Sequence, residues 1–417
     1  MEKSGKFRLT SLERNWILYD VGNSAFVLMV ATLIPIFFNA LAEAGGLSSV
    51  EYLAYWGYAS SAVTVVTAVL SPILGTVADT KGFKKPIFIL CVFVGIVGCC
   101  AMGAASAWLP FLVIFVIAKV GFSGSLVFYD SMLSDVTTPE RMDEVSSRGY
   151  AWGYIGSCVP FVVCLGLVLG AGSIGISQMT ALNLALLLTA AWWLLTTLPL
   201  LKSYKQLYYV EVEKHAVRQS FVRIGHTLRH LPEDKQVFWF LLAFFCYIDG
   251  VYTIIDMATA YGTALGLDTT GLLLALLVTQ IVAFPSALIF GRLSNKYPSA
   301  KLIPVCIAAY AGIAVFAFFL TRQWQFWVLA VIVGMFQGGV QALSRSHFAK
   351  IIPPEKSGEY FGLFDICGKG ASFLGTMIVS VGSQLTGSAN VGVGSLIVLF
   401  IVGFVLFRVS CRQGETA

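Results

Sequence analysis

Long apolar stretches alternate with short polar breaks along the whole chain. Each apolar stretch has the roughly 20 residues that an α-helix needs to cross the hydrocarbon core of a bilayer. The first one carries no small-residue cleavage site of the signal-peptide kind, so it is counted as a helix. The pattern predicts twelve membrane-spanning helices, at about residues 15–42, 51–78, 86–106, 108–134, 145–170, 178–200, 236–265, 270–293, 300–320, 324–350, 358–386 and 391–409.

The longest polar break divides the predicted helices into six and six. We therefore expect an all-α integral membrane protein with an N-terminal half at 1–201, a connector at 202–235 and a C-terminal half at 236–417. Apolar side chains at helical spacing within the connector predict an amphipathic helix lying on the bilayer surface. They are Phe221, Ile224, Leu228 and Leu231.

Composition and charge indicate the environment and the orientation. Hydrophobic residues make up 57% of the 417 positions and charged residues 12%, about half the charged share of a typical soluble domain. All 27 Lys and Arg residues except Lys119, Arg322 and Lys369 lie in the tails, the even-numbered breaks or adjoining helix ends. Because cations favour cytoplasmic loops, we expect both termini in the cytoplasm and the helices in the inner (cytoplasmic) membrane. The net charge of +5 then needs no nucleic-acid partner.

Two short motifs recur at nearly the same distance. Residues 75–85 (GTVADTKGFKK) have a shortened copy at residues 291–296 (GRLSNK), 216 positions later. Pro-Glu-Arg at residues 139–141 recurs as Pro-Glu-Lys at residues 354–356, 215 positions later. The agreement indicates duplicated, parallel halves, an arrangement that places a solute site between the halves near the middle of the membrane.

The turn at residues 75–85 has the features of a gate element. We expect the helix to end at Gly75 to Ala78, a tight turn to follow at Gly82, and Asp79 to cap a helix end or pair with a neighbouring cation. An ordinary charged loop is the alternative. The second copy has Asn295 in place of Asp79, so any contact that the acid makes is expected to be asymmetric.

The same turn carries a cluster of lysines. Lys81, Lys84 and Lys85 are expected to anchor it at an anionic membrane face. With the arginines that flank the predicted central helices, the turn gives the set of residues assigned to gating: Gly75, Asp79, Gly82, Lys84, Lys85, Arg148 and Arg345.

Several stretches give the chain a family resemblance. The turn at 75–85 resembles the signature loop of the major facilitator superfamily, whose members have twelve spans in two halves. Closer matches are residues 16–26 (WILYDVGNSAF), 146–156 (SSRGYAWGYIG) and 341–346 (QALSRS), with further agreement at 352–354 and 368–370. They resemble the unknown major facilitator family, whose fungal branch is the autophagy-related vacuolar effluxer of amino acids. Asp130 departs from the pattern, since relatives are expected to have asparagine there, and this leaves open a different cargo or coupling.

Ionisable side chains at bilayer depth cost a few kcal/mol each and mark functional positions by default. Asp20 lies early in the first predicted span, and Lys119 and Asp130 lie on the fourth. Eleven helical residues put Lys119 and Asp130 on one face about 16 Å apart, too far for a direct bond. Asp20, with Asn23, either binds solute or pairs with Arg148 or Arg345 across a closed gate.

The second half carries further candidates for solute binding or coupling. Asp249 lies near the middle of the seventh span and is flanked by two tyrosines. Asp365 and Lys369 are four residues apart on one helix, so they either neutralise each other or bind solute. Gln337 and Gln341 share a face of the tenth span with Ser344, and a polar stripe on an apolar helix is expected to face a cavity. The candidates of this half are Tyr247, Asp249, Tyr252, Gln337, Gln341, Asp365 and Lys369.

These features predict a secondary transporter that moves a small polar or zwitterionic organic solute by alternating access. The resemblance implies an amino acid and efflux. Burial of Asp249 or Asp130 would let either carboxyl exchange protons during the cycle, and uncoupled efflux is equally consistent with the sequence. An exporter of amphiphiles and a receptor that kept the transporter fold are the alternatives. No nucleotide-binding loop, hydrolase motif or metal-ligand spacing occurs in the sequence, so we expect neither an enzyme nor a bound cofactor. We also expect a monomer whose partners are the solute and membrane lipid.

Overall fold

The structure is a computed structural model that describes residues 7–211, 222, 224–227 and 229–416. Side chains are described over the same ranges except at 49, 50, 53, 259, 260, 264, 269, 270, 273, 369–373, 415 and 416. The predicted surface helix of the connector falls partly outside these ranges, as do Phe221 and Leu228 and the side chain of Lys369.

Twelve spans build the fold, as predicted. Eleven of them are long and apolar enough to cross a membrane over the described residues, and a helix of 30 residues completes the set. In the N half the spans are Ser11–Ala31 with Leu33–Ala44 (span 1), Ser49–Ala78 (2), Lys84–Met102 (3), Trp108–Ser131 (4), Met142–Leu169 (5) and Gln178–Ser203 (6). In the C half they are Lys235–Ala264 (7), Thr269–Leu293 (8), Ser299–Phe318 (9), Gln323–Ile351 (10), Ser357–Thr386 (11) and Ala389–Gly394 with Ile397–Thr416 (12). Short helices lie at Leu133–Val136, Leu231–Glu233 and Pro354–Lys356.

Local sequence accounts for several helix ends. Span 1 begins at a capping box in which Thr10 and Glu13 exchange hydrogen bonds, and these bonds satisfy backbone N–H groups that the helix leaves free. Asp234 caps span 7 by accepting from Val237 N at 3.2 Å. Gly82 has a φ of 79° in the turn after span 2, a conformation that suits glycine. The predicted glycine turn is therefore present.

The two halves pack together through spans 2 and 11 and through spans 5 and 8. Span 1 begins, and spans 2, 4, 8 and 10 finish, at the same end of the bundle. We call this end the basic face and the other end the opposite face. Hydrogen bonds between the halves cluster toward the basic face. The deepest of them join Ser71 to Asp365 at 2.7 Å and Tyr154 to Gln341 at 2.8 Å. The structure is therefore closed at the basic face.

Candidate functional site

A buried arginine of span 10 joins the halves near the basic face. Arg345 is 2% exposed, and its Nη1 donates to Asp130 Oδ1 of span 4 at 2.9 Å. The same atom lies 3.8 Å from Asp20 Oδ2 of span 1. Its Nε and Nη2 donate to the side-chain and backbone oxygens of Ser146 at 2.9 and 3.0 Å. One guanidinium thus holds spans 1, 4 and 5 of the N half to span 10.

Aromatic rings surround this guanidinium. Its Cζ lies 4.3 Å from the ring centroid of Tyr150, 4.7 Å from that of Trp16 and 5.4 Å from that of Tyr129. Such contacts add cation–π attraction and keep water from the charge. A Cβ on Gly149 would lie 3.1 Å from both Arg345 Nη2 and Asp20 Oδ2. Only a glycine leaves this much room for the ion pair.

The turn after span 2 forms a second contact between the halves. Asp79 is fully buried and accepts from the backbone N–H groups of Gly358 and Glu359 at 2.7 and 2.8 Å. These groups belong to the first turn of span 11, where free N–H groups and the helix dipole favour an anion. Burial raises the pKa of the Asp79 carboxyl to about 7, against the lowering effect of Lys84 and the two N–H donors. Asp79 therefore caps a helix of the other half.

Lys84 does not anchor the turn at the membrane face, so that expectation is wrong for this residue. Its side chain is fully buried, and its Nζ donates to Ser357 Oγ at 2.8 Å and lies 3.3 Å from Asp135 Oδ2. It also lies 3.9 Å from Asp79 Oδ1. An ammonium at this depth needs carboxylate partners, which the turn and the end of span 4 supply. Lys81 is exposed, in line with its predicted surface position.

The shortened copy of the turn, at residues 291–296, makes a different contact. Asn295 Nδ2 donates to Glu144 Oε2 of span 5 at 2.7 Å. Arg148 donates through Nη2 and Nε to Glu144 Oε1 at 2.5 and 3.1 Å. Arg148 is therefore paired within its own helix, and of the two predicted partners of Asp20 it is Arg345 that lies beside this acid.

Aspartate 143 extends this side of the interface. Its Oδ1 accepts from Ser346 Oγ at 2.6 Å, and its Oδ2 lies 2.6 Å from Lys350 Nζ. Both partners lie on span 10, so Asp143 adds a further link between span 5 and the C half.

Three remaining candidates of the N half make no contact with Arg345, although Asn23 hydrogen-bonds its neighbour Asp20. Lys119 stands 4.7 Å from the ring centroid of Phe122 and 6.0 Å from that of Phe26, inside the N half. Asn23 donates to Tyr19 O of its own helix at 3.2 Å. Lys85 is half-buried and donates to Tyr204 O at 3.4 Å. The structure does not bring these three side chains to Arg345.

In the C half, Asp249 is fully buried between spans 7 and 11. Both its carboxylate oxygens lie 2.9 Å from the N–H of Gly375, and Thr253 Oγ1 donates to Oδ1 at 3.3 Å. No cation contacts Asp249 among the side chains that the structure describes. Tyr252 is half-buried on the same helix. This acid is separate from the Arg345 cluster.

The polar stripe on span 10 is divided among three environments. Gln341 accepts from Tyr154 of the N half, and Ser344 shares a hydrogen bond with Tyr247 at 2.6 Å. Gln337 lines a pocket of about 690 Å³, part of it open to solvent. The pocket lies inside the C half and is largely apolar; its polar lining residues are Thr253, Tyr261, Thr279, Gln280 and Gln337.

Sequence reasoning missed several residues of the interface. Asp135 and Glu144 lie in a short polar break, where nothing in the sequence separates a buried acid from a solvated one. Ser146 belongs to a stretch that carried the family resemblance, but it received no role. Over the described residues, no group of three His, Cys, Asp or Glu side chains is arranged to hold a metal ion.

Comparison with known sequences gives a consistent assignment. The family described as vacuole effluxer Atg22 like matches residues 11–142 and 134–416. An uncharacterized MFS-type transporter of Bacillus subtilis, YxiO, is 42% identical over 414 residues, covering 98% of this chain and 97% of that one. Autophagy-related protein 22 of Saccharomyces cerevisiae is 28% identical and covers 58% of this chain and 53% of its own length. The chain thus spans about half of this fungal relative.

Solved transporters share the fold at low sequence identity. The human organic anion transporter MFSD10 aligns with a TM-score of 0.72 at 14% identity, covering 95% of this chain and 99% of that one. FucP in its outward conformation aligns with a TM-score of 0.71 at 16% identity, covering 96% and 97%. The chain therefore belongs to the vacuole effluxer Atg22-like family and is a transporter of the major facilitator superfamily.

Proposed function

We propose that this transporter exports a small polar or zwitterionic organic solute by alternating access, with an amino acid as the leading candidate. The observation that carries the proposal is the buried ion pair between the halves, in which Arg345 meets Asp130 and Asp20. Such a pair can form only while the basic face is closed. It therefore stabilises one access state and must break in the other, which alternation between two states of similar free energy requires.

The chemistry of the same cluster supports a zwitterion. When the halves separate at the basic face, the guanidinium loses its carboxylate partners and can bind the carboxylate of a solute in a bidentate manner. Asp130 and Asp20 are then free to accept from an ammonium group. The family description, vacuole effluxer Atg22 like, supports efflux as the direction of transport.

Counterflow in proteoliposomes of the purified protein tests this proposal. Vesicles loaded with one unlabelled amino acid should accumulate the same labelled compound, and Arg345→Gln should abolish the accumulation. Arg148→Gln is a matched control, because it removes an arginine that pairs within its own helix. If none of the twenty amino acids supports counterflow in folded protein, the amino-acid proposal is wrong. Binding without flux would instead favour a receptor.

We further propose that the basic face is cytoplasmic. The one-sided distribution of Lys and Arg supports this orientation, and the structure is then closed toward the cytoplasm. A reporter fused after Ala417 that is active only in the cytoplasm should be active in intact cells. A reporter active only outside the cytoplasm should be silent there, and the reverse pattern would contradict the orientation.

Proton coupling forms part of the proposal, with Asp249 as the carrier. Its buried carboxyl is held by N–H and O–H donors, with no cation among the described contacts. A buried carboxylate without a countercharge is costly, and binding a proton removes that cost. An imposed pH gradient should drive solute accumulation in vesicles, and Asp249→Asn should respond only to the solute gradient. Equal accumulation with and without the pH gradient would favour uncoupled transport.

One observation favours an amphiphile exporter as the second candidate. The pocket beside Gln337 is mostly apolar, and the Oε1 of this buried side chain has no hydrogen-bond partner among the described residues. An amphiphile with one N–H or O–H donor fits such a lining. Thermal-shift measurements separate the candidates, since ligand binding raises apparent stability. Amino acids should raise the melting temperature if the protein is an amino-acid exporter, whereas amphiphilic amines should raise it if the protein is an amphiphile exporter.

A further inference from the structure

The chain that leaves span 6 lies along the turn after span 2 and bonds to it. We call residues 204–211 the strap. Val210 N donates to Asp79 O at 2.7 Å, and Lys81 N donates to Val210 O at 3.3 Å, which makes a parallel bridge between Thr80 and Val210. Gln206 donates through Nε2 to Ala78 O at 3.1 Å and accepts from Gly82 N at 3.0 Å. The strap therefore fixes the backbone of the turn on both sides of Asp79.

A buried acid at the end of span 4 holds the strap from the other side. Asp135 is 3% exposed, and its Oδ1 accepts from Leu207 N and Tyr208 N at 2.9 and 3.0 Å. Its Oδ2 accepts from the Tyr204 hydroxyl at 2.6 Å and from Lys84 Nζ at 3.3 Å. One carboxylate thus joins the strap to the buried lysine of the gate.

These bonds continue into the other half. Asp79 is held by the strap through its backbone and bonds Gly358 and Glu359 through its carboxylate. Lys84 is held at Asp135 and donates to Ser357. The first turn of span 11 is therefore reached from the connector in two steps through Asp79 and in three steps through Asp135 and Lys84, although the strap makes no described bond to span 11 itself.

We propose that the strap positions the transport gate through its backbone at residues 207–210 and the side chains of Tyr204 and Gln206, which hold Asp79 and Lys84 in the geometry that closes the basic face. This inference rests on the proposed role of the ion pairs between the halves in closure. The connector is then part of the gate and not a passive tether. Releasing the strap returns backbone freedom to the turn, and the conformational entropy that the turn gains opposes the ordered capping contact.

Hydrogen–deuterium exchange of the full-length protein, in detergent or nanodiscs, tests the inference without knowledge of the solute. Val210→Pro removes the N–H that donates to Asp79 O. It should give several-fold faster exchange both at residues 79–85 and at 357–362 in the other half. If Val210→Pro does not fold, a Tyr204→Phe/Gln206→Ala double variant replaces it. This variant removes only side-chain contacts of the strap and should give the same pattern of faster exchange. Glu211→Gln is the matched control, because the Lys81–Glu211 pair is exposed and weak.

Two outcomes overturn the inference. Faster exchange confined to residues 79–85 and 204–211 would show that the strap orders only its own neighbourhood, and a Glu211→Gln effect equal to that of Val210→Pro would show that the exchange reports general loosening. Asp79→Ala separates this failure from that of the proposed gate. If Asp79→Ala accelerates exchange at 357–362 and the strap variants do not, the strap inference alone fails. If Asp79→Ala has no effect there, the closed gate itself is wrongly assigned.

Discussion

The two copies of the turn make contacts of very different strength at the interface between the halves. In the first, fully buried Asp79 accepts hydrogen bonds from two backbone N–H groups of span 11, and Gly75 packs directly on the backbone of Gly358. In the second, exposed Asn295 donates one hydrogen bond to the side chain of Glu144. Positions 144 and 359 are themselves 215 residues apart, so the same two structural positions meet in both contacts with different chemistry.

The difference indicates that the contact of Asp79 with span 11, which we call the main lock, contributes more to closure than the contact of Asn295 with Glu144. A buried, charge-assisted bond to a helix terminus contributes more than an exposed bond between side chains. The ion pair of Arg345 and Asp130 lies between the two contacts. These two residues are also 215 positions apart, so they occupy equivalent positions of the two halves and carry opposite charges. We expect opening at the basic face to begin on the side of Asn295 and to finish with release of Asp79.

The largest expected effect comes from removing the ion pair that the two sides share. Arg345→Gln leaves Asp130 and Asp20 without their cation, and breaking a buried pair costs about 3–5 kcal/mol. The closed conformer should then become a minor state. Spin labels on cysteines at Glu140 and Glu355, exposed in opposite halves, should move apart in a background whose nine native cysteines are replaced. An unchanged distance would show that the two turn contacts suffice for closure.

The next effect compares the glycines of the two turns. A Cβ on Gly75 would lie 2.1 Å from the backbone oxygen of Gly358, whereas one on Gly291 would lie 2.8 Å from the Ser147 side chain. The Ser147 atom is its Cβ, so neither contact can be relieved by rotating a side chain, and the closer contact at Gly75 requires the larger shift. Gly75→Ala should therefore weaken closure by about 1–3 kcal/mol and Gly291→Ala by less, as measured with the same labels. Equal effects would contradict the claim that the first contact is the main lock.

A smaller effect is expected from restoring the acid in the second copy. Asn295→Asp puts a carboxylate where an amide now donates to Glu144, so a hydrogen bond becomes a like-charge repulsion. Asn295 is exposed whereas Glu144 is buried, so the repulsion is only partly screened; closure should weaken by about 1 kcal/mol, and the loss should shrink at high salt. Glu144→Gln in the same chain should recover closure. A loss that does not depend on salt would rule out repulsion as its cause.

The first copy should also give closure a dependence on pH. Lys84 and Glu359 are the charged groups that face Asp79 and shift its pKa most. In the closed conformer burial raises this pKa to about 7, whereas an aspartate in water titrates near about 3.9. The closed conformer therefore binds the proton more tightly, and its population should fall as the pH rises from about 4 to about 7. Label distances measured across this range should show the change.

Asp79→Asn provides the control for that measurement, since it should flatten the dependence, and Asn295→Ala should leave it intact. A closed population that instead rises with pH would mean that the N–H donors and Lys84 outweigh burial at this carboxyl.

The sequence predicted the fold closely because membrane insertion leaves few choices. Spans of about 20 apolar residues have to be helices, and the recurring turn revealed the duplication. The site was harder to predict. The sequence indicates Asp20 as a charge early in a span and Arg345 as a charge at a helix end, whereas Asp135 and Glu144 lie in a polar break that gives no sign of their burial. The sequence predicts Lys84 as a surface anchor, because a lysine beside a membrane usually contacts lipid headgroups and a single sequence does not show what covers it.

The sequence by itself determined the twelve spans, the paired halves and the turn that recurs with an asparagine for an aspartate. Hydrophobic length and repetition are local properties of the chain, so they can be read along it. Only the tertiary structure decided which charges meet. Arg345 reaches Asp130 and not Lys119, Arg148 turns to Glu144 within its own helix, and the strap binds the turn after span 2. Pairing across an interface depends on the register and rotation of helices, which packing fixes and one-dimensional spacing does not record.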